Sequence, residues 1–202
     1  MSGIIAQNTL DSSGLIKSPE GGGAWNFIKK ITASGDSDIA FVDGTDDVVL
    51  DSTYKTYVFT FNNIHPETDD KFFQFNGSDD ATSHTYDITK TTTFFEAAPT
   101  SLGYTASFDL AESGDDQRLF NGIGNSNDQS ASGELWLYNP SSTTFVKHFK
   151  GRIMGNRYND TAQDNYIAGY FNTTAAITAI NFQHSSGDTD AGKIKLYGIG
   201  DS

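Results

Sequence analysis

Cysteine is absent from the 202 residues, which excludes disulfides, thiolate zinc sites and cysteine nucleophiles and leaves the redox compartment open. No apolar run reaches the ~20 residues of a membrane-spanning helix. The opening Met1-Ser2-Gly3-Ile4-Ile5 also lacks the basic and apolar regions of a secretory signal, so the chain is expected to be made in soluble form. Glutamate is scarce: Glu20, Glu67, Glu96, Glu112 and Glu134 are the full set, and every other acid is aspartate. Aspartate bonds nearby backbone N–H groups in turns whereas glutamate favours helices, so the acidity belongs to a loop-rich chain poor in helix. Serine-hydrolase chemistry has no Gly-x-Ser-x-Gly elbow to rest on, and Gly21-Gly22-Gly23 is not followed by the Lys-Ser/Thr of a phosphate loop. The histidines His65, His84, His148 and His184 are scattered and never at metal-ligand spacing. Paired carboxylates ~5–9.5 Å apart could hydrolyse a glycoside, but abundant aspartate is no signature of that. No enzymatic activity is expected.

What the chain has is acid and aromatic rings. There are 26 acidic against 13 basic residues, a net charge of −13. Such a surface repels phosphate backbones and anionic lipid, so neither nucleic acid nor membrane is an expected partner. The basic clusters, Lys29-Lys30, Lys147 to Arg157 and Lys193 to Lys195, each carry few charges. Calcium, which takes several oxygen ligands, is the cation the aspartates could serve. The leading candidates are Asp43, Asp46 and Asp47, with Asp36/Asp38, Asp115/Asp116 and Asn127/Asp128 behind them. None fits the twelve-residue EF-hand pattern, and solvated turn aspartates are the plainer reading. No other cofactor is implied.

Period-two alternation marks the strands. The clearest is Leu50 to Pro66, where Tyr57, Phe59 and Phe61 share one face and Thr56, Val58 and Thr60 the other. Asn62-Asn63 and His65-Pro66 are expected to close it. Further strands are expected over 25–32, 39–42, 71–75, 86–96, 133–138, 144–149, 166–171, 176–183 and 193–199. Asn76-Gly77 reads as a tight turn, residues 119–128 as an irregular loop, and Pro140 to Thr143 as a hairpin connection. Roughly nine to eleven strands, with turns every ~8–12 residues, predict an all-β fold. A jelly-roll-like antiparallel β-sandwich over 25–202 follows, since two sheets bury the apolar faces. Residues 1–24 read as an extended N-terminal arm.

Alternation also puts Trp136 and Tyr138 opposite Leu135 and Leu137. If the leucines face the core, the two rings face outward, where they could stack on sugar rings or fill an interface. They are the candidate glycan-binding residues.

Four segments together carry a resemblance. They are Ala6-Gln-Asn-Thr-Leu through Trp25, Leu50-Asp-Ser-Thr-Tyr-Lys-Thr-Tyr through Pro66, Asn127-Asp-Gln-Ser130 with Leu137 through Phe149, and Ala168-Gly-Tyr-Phe-Asn-Thr-Thr through Ile199. With these the chain resembles small structural proteins of tailed bacteriophages, especially marine ones, of the tail-fibre or capsid-decoration kind. The resemblance spans nearly the whole chain and is weakest over 76–117. It implies a non-enzymatic virion component, oligomeric and partnered by capsid or tail proteins. Host surface glycan or receptor binding is the alternative. High acidity would keep crowded copies soluble in salt, where screening shortens repulsion to ~3–8 Å. Residues 1–24 would then be the anchor, with Leu15, Ile16, Gly21, Gly22, Gly23 and Trp25 at the interface, docking by β-augmentation or as an extended peptide.

Overall fold

The computed structural model describes residues 24–99 and 109–200. They form eleven β-strands: β1 Trp25–Thr32, β2 Ile39–Val42, β3 Thr56–Pro66, β4 Lys71–Ser78, β5 Lys90–Ala97, β6 Gln117–Ile123, β7 Ala131–Tyr138, β8 Lys147–Asn156, β9 Ala162–Phe171, β10 Ala179–His184 and β11 Thr189–Ile199. All pairings are antiparallel. A seven-stranded sheet runs β1-β11-β3-β7-β8-β9-β5 and a four-stranded sheet runs β2-β10-β4-β6. The all-β, sandwich-like architecture is as expected.

Setting β5, β8 and β9 aside, the other strands pair in nested order. First pairs with last (β1 with β11), then β2 with β10, β3 with β7, and β4 with β6. The three remaining strands widen only the larger sheet, beyond β7. At the opposite corner the Gly200 N–H donates to the Ala24 carbonyl at 3.0 Å, so the described chain begins and ends in one place.

Tyr57, Phe59 and Phe61 of β3 are buried between the sheets. Opposite them Phe182 of β10 sits among Phe59 and Phe61, at centroid distances of 5.1 and 5.2 Å, in edge-on geometry. Phe41, Phe73 and Phe75 complete that cluster. Toward β5 the filling turns polar. Glu96 accepts from the side-chain amides of Asn121 (3.0 Å) and Gln163 (3.1 Å), and Thr92 donates to Gln117 at 2.5 Å. The outer edge of β5 is not bare: the Lys90 N–H donates to Ser113 O and the Thr92 N–H to Leu110 O.

Several boundaries differ from expectation, each for a local reason. Asn62-Asn63 does not end β3. The ladder slips between Phe61 and Ile64, Asn63 takes φ 50°, and Ile64 is swung back into the core. Asn76-Gly77 is not a turn but the continuation of β4. The Asn76 amide donates to Gly114 O and its oxygen accepts from Lys90, while a Cβ on Gly77 would press on Phe171 at 3.0 Å. Residues 119–123, expected as part of a loop, belong to β6 because Leu119, Phe120 and Ile123 are core residues. The β7–β8 connection is longer than Pro140 to Thr143, because β8 starts only at Lys147 and Phe145 projects 70% exposed. Val48 and Leu50 pack in the core from a loop.

Candidate functional face

The outward face of the seven-stranded sheet is where the rings gather. In β7, Leu135 and Leu137 point inward and are buried, which turns Trp136 and Tyr138 outward. Pairing register extends that row: Phe27 lies opposite Tyr197, Tyr197 opposite Val58, Val58 opposite Trp136, Trp136 opposite Lys150, and Lys150 opposite Ala168. Val58 is outward-facing yet fully buried, flanked by Tyr197 and Trp136.

Trp25, predicted as an anchor residue, lies on the same face. Its ring meets Trp136 at 5.6 Å and Tyr197 at 5.5 Å, both edge-on, and remains 46% exposed. Phe27 packs on Tyr197 at 5.8 Å and is 59% exposed. The other arm residues, Leu15, Ile16, Gly21, Gly22 and Gly23, lie outside the described residues.

On the far side of Trp136 the added strands make a groove of about 350 Å³, lined mainly by apolar atoms. Trp136, Lys150, Ala168 and Thr93 form one row of it, and Glu134, Arg152, Tyr166 and Phe95 the next. Phe95 and Tyr166 stack face to face at 4.7 Å, and the Arg152 guanidinium lies over the Tyr166 ring at 5.1 Å. Arg152 is held there by Asp164, with Nε 3.1 Å from both carboxylate oxygens and Nη2 2.6 Å from one. The Lys150 ammonium lies over Trp136 at 5.4 Å. Trp136 Nε1 is buried and has no hydrogen-bond partner among the described residues.

Such a surface can stack on a flat apolar ring face and hydrogen-bond at its rim. Among the described lining residues Glu134 is the one carboxylate. Tyr138 stands one row along from Trp136, opposite Thr56, and does not line the groove.

The aspartates named for calcium serve the turns. Asp43 Oδ1 accepts the Leu50 N–H at 2.8 Å, and Asp46 and Asp47 adopt φ 51° and 66°. Among the described residues no group of three or more His, Asp or Glu side chains could hold a metal ion. His65 bridges Asp190 (2.7 Å) and Ser126 O (3.1 Å), and burial pushes the His184 imidazole down to about 4.

Phe95, Tyr166, Lys150 and Arg152 escaped the reading of the sequence. One signal was present: in Phe94-Phe95, adjacent strand residues face opposite ways, so one ring had to point outward. Fold and site together define a β-sandwich that presents an aromatic, cation-bearing sheet face. Comparison of the chain with protein-family models, with curated proteins and with solved structures finds no match.

Proposed function

We propose that this chain is a non-enzymatic binding module that takes a glycan on the outer face of its seven-stranded sheet. The observation that carries this is the groove between Trp136 and the stacked Phe95–Tyr166 pair. Its rings are fixed by cross-strand pairing, so little side-chain freedom is lost on stacking a sugar. Nested strand pairing supports the same reading, since jelly rolls serve lectin and viral capsid domains alike. A Trp136→Ala variant should melt within a few degrees of the parent and lose at least about tenfold in affinity for a glycan found on an array. Unchanged glycan binding by that variant, or no glycan bound by the parent with calcium present, rejects the reading.

A second reading, a virion exterior component of the capsid-decoration or tail-fibre kind, is favoured by Trp25 and Phe27. They stand exposed on the edge strand that directly follows residues 1–24, and exposed apolar patches of that sort mark protein contacts.

A further inference from the structure

Most acids of the described residues lie in the connections, and within strands only Glu96, Glu134, Asp164 and Asp190 are acidic. In the regular ladder of the seven-stranded sheet, the outward residues include Lys30, Lys150, Arg152, Lys193 and Lys195, against Glu134 and Asp164. That is five cations to two carboxylates on one face of a chain whose formal net charge is −13. Asp164 is already taken by Arg152. Among the described residues no carboxylate lies within ion-pair distance of Lys30, Lys150, Lys193 or Lys195. Lysines in a strongly acidic protein that gather on one sheet, and there lack acidic partners, leave a local positive field beside the stacking rings.

We infer that the glycan held on this face is an acidic one, a polyuronate-type chain whose carboxylates meet Lys150 and the Lys195–Lys30 pair while its rings stack on Trp136. This rests on the glycan reading above and adds charge selectivity to it. The cations stand on both sides of Trp136. Lys150 sits inside the groove, and Lys195 and Lys30 are directly paired across β11 and β1, on the far side of Trp136. Glu134, between the two clusters, accepts sugar hydroxyls but repels a phosphate. A DNA strand offers that carboxylate no free hydroxyl along its backbone, whereas a uronate chain carries hydroxyls on every ring. The hydroxyl complement to Glu134 therefore favours the glycan over DNA.

The test is binding of the full chain to polygalacturonate and to its carboxyl-reduced form, which keeps the sugar rings and loses the charge. At about 0.1 M salt the charged polymer should bind about tenfold more tightly. The ratio should fall toward one at about 1 M salt, where screening acts within about 3 Å. Lys150→Gln should lower the ratio about fivefold, while Lys71→Gln, on the other sheet, should not. Equal binding of the two forms, or binding of neither, overturns the inference, and the glycan reading falls as well only when the parent also binds no glycan on the array. Tighter binding of single-stranded oligothymidylate than of polygalacturonate overturns it in favour of phosphate recognition. Salt-sensitive self-association abolished by Lys150→Gln assigns the face to a second copy and overturns it too.

Discussion

Lys90 is the least expected residue in the core. It is fully buried at the start of β5, and its ammonium donates to Asn76 Oδ1 at 2.7 Å and Ile88 O at 2.9 Å. Burial lowers its pKa from 10.5 to about 8, against the opposing pull of Asp116, Asp115 and Asp87. The folded value lies below the unfolded one, so between about 8 and 10.5 the unfolded chain binds more protons. Stability from this group therefore rises with pH across that window and is lost as pH falls through the folded value. Lys147, buried in β8, shifts downward for the same reason. Replacing Lys90 by Met should flatten the alkaline rise, by at most about 3 kcal/mol, in urea unfolding measured at several pH values. Asn76 Oδ1 would keep the Gly77 N–H as a donor. An identical pH profile in parent and variant would show that Lys90 does not titrate as its burial requires.

At the scale of elements, strand existence was legible wherever one face alternates cleanly. The inward Tyr57, Phe59 and Phe61 of β3, and the inward Ile194 and Leu196 against outward Lys193, Lys195 and Tyr197 of β11, lie as the alternation requires. It failed where tertiary contacts override local chemistry. Asn76-Gly77 reads locally as a turn, yet Lys90 and Gly114 satisfy the asparagine and Phe171 covers the glycine. Strand β6 was missed because its core residues are interrupted by Asn121 and Gly122, the former bound to Glu96. Close approach of β7 to β8 depends on Gly133, where an added Cβ would run into Arg152 O and Ile153 Cα. Because both obstacles are backbone, Gly133→Ala should cost about 3 kcal/mol. Thermal unfolding checks this; a melting point within a degree of the parent would mean that the ladder can spread. The groove lies across that same ladder, so the variant should also weaken glycan binding.

For the whole molecule, what the sequence could not reveal was which strands widen the sheet. The candidate face depends on that widening, since Lys150, Arg152, Tyr166 and Phe95 all come from β8, β9 and β5. Trp136 was identifiable from its neighbours' alternation, but its groove partners on β8, β9 and β5 are 14 or more positions away along the chain and meet it only through register. On the virion reading, removing residues 1–24 should leave a folded domain with sandwich-like circular dichroism that no longer loads onto particles. Loading at the parental level would show that the contact lies elsewhere.

Strands β1 and β11 meet tail to head at one corner, where Gly200 holds Ala24. Tension applied between these two points would act across the ladder rather than along it. Its hydrogen bonds would be loaded singly, from Trp25↔Ile199 inward, and the sheet would unzip instead of shearing. A tether at either end alone leaves that ladder unloaded, whereas fixing both ends makes this corner the place where the sandwich yields first.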